Sequence, residues 1–119
     1  MSLDPCPSSP NCISSQSDAS DAKHYMEAMS YSGDVSHALD VIAEVVGSAS
    51  GATVTDRSDN RIDAVFVSGL FRFKDDVSFL VDAVEQMIHF RSASRVGHSD
   101  LGANRKRLEA LLPQIKAQL

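Results

Sequence analysis

The stretch ATVTDRSDNRIDAVFVS, from Ala52 to Ser68, decides the fold class. Before it, apolar residues recur at helical spacing; within it the period falls to two. In extended chain Ile62, Ala64 and Phe66 fall on one face, and Asp63, Val65 and Val67 on the other. Ser58-Asp59-Asn60 separates the halves with turn-forming residues, so the stretch predicts a β-hairpin.

On the N-terminal side, SGDVSHALDVIAEVVGSASG predicts a helix. Asp34 is placed to cap it, and Val35, Leu39, Ile42 and Val46 form one stripe. Ser36, Asp40 and Glu44 face outward, and Gly47 is a natural stop. Further upstream KHYMEAMSY predicts a first strand, although its Met, Glu and Ala suit a helix equally. Residues 1–22 carry Pro, Ser and Asp without a period and read as an extended arm with a Cys pair; residues 23–119 read as a single α+β domain.

On the C-terminal side, LFRFKDD alternates Phe71 and Phe73 with Arg72 and Lys74, a half-buried strand with solvated cations. VSFLVDA places Val77, Phe79 and Val81 on one side, Ala83 to Gln86 forms a connecting turn, and QMIHFRSAS supplies a further strand. NRKRLEALLPQIKAQL returns to a helical stripe of Leu108, Leu111, Leu112, Ile115 and Leu119, capped by Asn104 or by Ser99. Pro113 within it should kink or shorten the helix. The order β-α-β-β-β-β-α predicts an α+β fold. It is a single antiparallel sheet of about five strands, with two helices packed on one face. That arrangement is TATA-binding-protein-like or helix-grip-like, an analogy that carries no function.

The 119 residues are 43% hydrophobic with a formal charge of −5, which argues against a general nucleic-acid or anionic-membrane binder. No apolar run approaches the ~20 residues needed to span a bilayer. Yet RSASRVGHSDLGANRKR, Arg91 to Arg107, gathers five of the eleven Lys and Arg residues around one carboxylate, Asp100. Arg91 would share a strand face with His89 and Ala93, and the small Ser92 and Ser94 leave room beside it. Gly97 and Gly102 permit unusual loop geometry, and a helix start near Ser99 to Asn104 attracts anions. The candidate ligand-binding set is Arg91, Ser92, Ser94, Arg95, His98, Ser99, Asn104 and Arg105. The competing reading pairs Arg91 and Arg95 with Asp75, Asp76 or Asp100, which would lock loop to sheet.

Other chemistry is sparse. Cys6 and Cys12 are separated by five residues, where zinc pairs use about two to four and need two more ligands. No metal is expected there. A short-loop disulfide, implying an oxidising compartment, stands ahead of two free thiols. His24, His37, His89 and His98 are scattered, and the tripeptide His98-Ser99-Asp100 is no triad, because adjacent side chains seldom face one another. Asp75 and Asp76 would point to opposite faces of a strand, a poor chelate, and pair with Arg72 or Lys74 or stay solvated.

Three segments, PCPSSPNCISS, FRFKDDVSF and RSASRVGHSDLGANRKRLE, resemble in order the bacterial and plant family called domain of unknown function 1499. The likeness covers nearly the whole chain. It implies no established activity and no cofactor. Members often carry a leader or membrane segment ahead of this domain, and plant relatives associate with chloroplasts. The resemblance therefore implies an extracytoplasmic or membrane-associated setting, with MSLDPCP standing where a native targeting segment has been removed. His98 departs from the family pattern, which often has tyrosine there, so a histidine mechanism is not implied. The leading expectation is a binding module for an anionic small molecule or lipid headgroup at the Arg/Ser-rich loop. A structural or protein-interaction domain with internally paired arginines is the alternative, and a hydrolase comes last. The oligomeric state is left open.

Overall fold

The computed structural model describes residues 2–69 and 72–119. Its hairpin joins β3 (Ala52–Arg57) to β4 (Arg61–Val67), with the Ser58 N–H donating to Arg61 O at 2.9 Å across the turn. Ala64 pairs with Val54, and the register shifts before Asp56 pairs with Asp63. From β4 the chain continues to β5 (Lys74–Asp82), β6 (Met87–Ser94) and α2 (Ala103–Gln118). Upstream lie β1 (Cys12–Ser14), β2 (Met29–Ser30) and α1 (Val35–Gly47). The strands form one antiparallel sheet in the order β1-β6-β5-β4-β3, with β2 also paired to β6.

One face of this sheet carries Ile62, Ala64, Phe66, Val77, Phe79, Val81, Ile88 and Phe90, all buried. Against them pack Ala38, Leu39, Ile42 and Val46 of α1 and Leu108, Leu111 and Ile115 of α2. Phe79 and Phe90 are direct cross-strand partners, their rings 6.5 Å apart and tilted. Each fully buried aliphatic or aromatic side chain contributes ~1.5–3 kcal/mol, so this layer is the main stabilising element. The outward residues Ser36, Asp40 and Glu44 are exposed, as the helical period predicts. Among the described residues no helix is long and apolar enough to cross a membrane.

Several local readings change. Cys12–Ser14, assigned to the arm, is a sheet strand, with Cys12, Ile13 and Ser14 opposite Ala93, Ser92 and Arg91. Among the described residues the sheet therefore has six strands. The KHYMEAMSY strand shrinks to Met29–Ser30, plus a lone bridge between Tyr25 and Ser14. The alternation of LFRFKDD overstates its strand: β5 starts only at Lys74, Arg72 adopts φ 56°, and Phe73 is exposed. Leu70 and Phe71 lie outside the described residues. Asp34 occupies the cap position of α1 without a side-chain bond. Neither Asn104 nor Ser99 caps α2; the chain enters through Gly102 at φ 81°. The helix runs on through Pro113 to Gln118.

Candidate functional site

Extended chain sends alternate residues of β6 to opposite faces, so Ser92 and Ser94 point toward the start of α2 while Arg91 and Ala93 point away. On α2, Asn104 stands one turn before Leu108 on the same inward stripe and is fully buried. A buried amide needs partners at both ends, and this one has them. Its Oδ1 accepts from Ser92 Oγ at 2.6 Å and Arg107 Nη1 at 2.8 Å. Its Nδ2 donates to Asp100 Oδ2 at 2.6 Å, Ser94 Oγ at 3.0 Å and Asn11 O at 3.2 Å. Asn11 in turn donates from Nδ2 to Gly97 O at 2.7 Å. One asparagine thus ties β6, α2, the loop between them and the segment before β1.

Asp100 receives the Gly102 N–H at 2.8 Å and the Asn104 N–H at 3.1 Å, doing the work of a cap from two residues upstream of Gly102, which holds the cap position. Burial alone would raise its pKa. The Asn104 backbone and side-chain bonds, with that from Gly102, outweigh burial and hold the carboxyl below its ordinary value. Arg107 closes the network: Nη2 meets Asp75 Oδ2 at 2.7 Å, Nη1 reaches Ser92 Oγ at 3.1 Å, and the guanidinium lies 4.8 Å over the Phe66 ring. This cation belonged to no predicted pair.

The predicted ligand set divides here. Ser92, Ser94 and Asn104 converge on the buried junction. Arg91, Arg95 and Arg105 point three ways. Arg91 donates from Nη2 to Pro5 O at 3.4 Å, and among the described residues its buried Nε has no partner. Arg95 grips Asp76 through two bonds of 2.9 Å. Arg105 donates from Nη2 to Ala22 O and Tyr25 O, both at 3.1 Å. His98 is exposed in the loop, and the Ser99 Oγ accepts the Leu101 N–H at 3.3 Å. Asp75 and Asp76 do point to opposite faces of β5: Asp76 meets Arg95, one of the expected pairings, whereas Asp75 meets Arg107, and neither pairs with Arg72 or Lys74. Arg107 and Asn11 are the two members of this network that the sequence-based candidate set did not include.

The N-terminal segment is fastened twice. Cys6 and Cys12 form a disulfide, with Cα atoms 5.7 Å apart. Closing so short a loop stabilises the fold by about 2 kcal/mol. His24 is buried between two acceptors, Asp21 Oδ2 at 2.7 Å and Ser9 O at 2.8 Å. Both ring nitrogens must donate to satisfy both bonds, which raises its pKa, the Asp21 side chain contributing most and the Ser9 carbonyl next. Between this arm and α2 opens a cleft of about 200 Å³, lined by Pro10, Ile13, Lys23, Ser99, Asp100, Gly102 and Arg105.

Two further arrangements bear on chemistry. Ser15 Oγ lies 3.1 Å from His89 Nδ1, but it is buried and accepts the Phe90 N–H at 2.9 Å. It extends the β-ladder beyond β1 and is closed to a substrate. Asp82, Glu85 and His89 each bring one donor atom within 4.8 Å of the others at the β5–β6 turn. Asp82 already accepts the Val84 and Glu85 N–H groups there. Such exposed acids commonly sit together without a metal, and the cluster makes no cofactor argument.

No curated protein matches the chain. A family described as Protein of unknown function matches residues 2–115, which include the disulfide, the buried Asn104 network and the cleft. By that match the chain belongs to the DUF1499 family.

Proposed function

We propose that the domain is a non-enzymatic binding module that receives a small oxoanion, free or carried on a larger molecule, in the cleft between the N-terminal arm and α2. The supporting observation is that Lys23 and Arg105 both line this cleft. Among the described residues neither has a carboxylate partner, whereas Arg95 and Arg107 are each paired with an aspartate. Asp100 also lines the cleft, but its oxygens accept the Gly102 and Asn104 donors at the start of α2. The Ser99 hydroxyl adds a neutral donor. Two cations with a hydroxyl beside them suit phosphate, sulfate or carboxylate.

Inorganic phosphate is the probe, with binding followed by calorimetry and by amide shifts of residues 97–105. Lys23 is exposed, so Lys23→Ala should leave the melting temperature unchanged while weakening phosphate binding about tenfold, the equivalent of one charge-assisted hydrogen bond. No heat and no shifts with phosphate, sulfate or acetate would end this reading. A second reading, a structural or protein-interaction domain whose arginines serve internal architecture, is favoured by the buried Asp75–Arg107 pair.

A further inference from the structure

Among the described residues four large apolar side chains are exposed, and three of them sit on two adjoining loops. Phe73 is 54% exposed, Val96 58% and Leu101 86%. The loops are joined where the Arg95 N–H donates to Lys74 O at 3.1 Å. That bond lies one step beyond the Asp75–Ser94 pairing at which the β5–β6 ladder ends, so Phe73 and Val96 both follow directly from the joined strands. Scattered exposed apolar residues are ordinary; a group at one end of the sheet is not. Val84, the fourth, lies in the turn at the other end of β5 and β6.

The backbone adds a second indication. Leu101 adopts φ 54° and Arg72 φ 56°, the left-handed region that disfavours side chains of this bulk. Such strain persists only when surrounding bonds impose it. Here they do: Asp100 is anchored to Gly102 and Asn104, and Ser99 Oγ holds the Leu101 N–H. The result is a leucine held outward in water by the buried Asn104 network behind it.

Charge completes the pattern. Arg72, Lys74 and Lys106 are exposed at this same end. Among the described residues none of the three pairs with a carboxylate, although the chain as a whole carries −5. Lys106 lies along Gly102, its Cε 3.9 Å from where a Cβ would stand there, and so flanks Leu101. Apolar side chains ringed by long, flexible cations fit a lipid surface better than a protein partner, whose buried contact centres are depleted in lysine.

We propose that this end of the molecule docks on an anionic bilayer. Phe73, Val96 and Leu101 enter the boundary between headgroups and acyl chains. Arg72, Lys74 and Lys106 meet lipid phosphates, their stems lying along the apolar layer. Attachment is peripheral and reversible, because a few apolar side chains and a few cations supply it. The overall negative charge orients the protein with its remaining surface away from the membrane. This inference does not depend on the cleft, and Lys23 takes no part in it.

The test is co-sedimentation with vesicles of mixed phosphatidylcholine and phosphatidylglycerol, beside vesicles of phosphatidylcholine alone. The protein should partition onto the mixed vesicles only, and high salt should release it. Val96→Asp/Leu101→Asp should weaken partitioning about tenfold or more, the loss from removing well-buried apolar side chains. Aspartate tolerates the left-handed backbone better than leucine does, so the melting temperature should hold. Lys74→Glu/Lys106→Glu, which leaves the loops' apolar residues intact, should abolish the preference for anionic lipid. Lys23→Ala should bind vesicles as the parent does. Failure to partition onto the mixed vesicles overturns the proposal. So does unchanged partitioning of both double variants, or loss through Lys23→Ala alone.

Discussion

Asp75 and Asp76 are neighbours on β5, each gripped by an arginine, yet the two pairs stand in different solvents. The strand alternation sends Asp75 inward, where its side chain is 12% exposed and that of Arg107 16%. It sends Asp76 to the other face, where both members of the pair with Arg95 are 45% exposed. Distances barely differ, 2.7 Å against 2.9 Å. What differs is the alternative open to each charge once its partner is lost. Asp76 turns to water. Asp75 cannot, because Phe66, Ser92 and Asn104 already surround the guanidinium that faces it. Burial, rather than contact geometry, sets what an ion pair is worth.

The comparison therefore breaks or stands first on Arg107→Ala. This variant leaves a buried carboxylate without its cation, and also takes a donor from Asn104 Oδ1. The expected loss is about 3 kcal/mol in urea-denaturation free energy, the low end for a broken buried pair because neither side chain is wholly inaccessible. Asp75→Leu/Arg107→Met should recover most of that loss, since a packed apolar pair avoids the desolvation that an unpaired charge suffers. If Arg107→Ala cost no more than a surface change, the graded view of the two faces would be wrong.

His24 and Asp21 supply an intermediate case, with side chains 9% and 40% exposed. The Asp21 carboxylate, then the Ser9 carbonyl, raise the His24 pKa above its ordinary value of about 6.5. The His24 cation in turn holds Asp21 below the carboxylate range. Because the folded-state value of His24 is the higher one, its stabilisation is complete below about pH 6.5 and declines as pH rises through that raised value. The expected decline is about 1 kcal/mol, one charge-assisted bond discounted for the exposure of Asp21. Proton NMR of the His24 ring should place its midpoint above that of a free histidine, and Asp21→Asn should bring it down. A midpoint at or below the ordinary value would contradict the two-acceptor geometry.

The same distinction between faces governs what the sequence made legible. Helix α1, the β3–β4 hairpin and the β5 and β6 cores were readable because each has one wet and one dry side, and that difference is written as a period. Strand β1 was not. Cys12, Ile13 and Ser14 are all buried, covered on both sides, and three residues are too few to show alternation. Phe73 misled in the opposite sense: its alternation with Arg72 and Lys74 continues past the point where the ladder ends. The sharpest missed signal lay on α2. Asn104 falls on the stripe that continues through Leu108, Leu111 and Ile115, so a polar residue occupied a core position and required a buried network. Treated as a cap, it concealed Arg107, one helical turn away, and the Asp75 it pairs with. Long-range partners such as Asn11 and Gly97 leave no local trace, because only the closed sheet brings them together.

Arg95→Ala carries the smallest effect and sharpens the comparison from below. The guanidinium makes two well-formed bonds to Asp76, and the carboxylate raises its already high pKa through that hydrogen bonding. By geometry alone the pair would rank beside Asp75–Arg107. By exposure it should contribute far less than its buried counterpart, and that contribution should fade in salt, where screening reaches solvent-facing charges first. Urea denaturation of Arg95→Ala and of Arg107→Ala at low and high salt separates the two views. If exposure rules, the Arg95 deficit shrinks with salt while the Arg107 deficit persists. If the bidentate geometry rules, Arg95→Ala destabilises the fold on the scale of its buried counterpart, and the loop between β6 and α2 is held from the solvent face of the sheet as firmly as from its core.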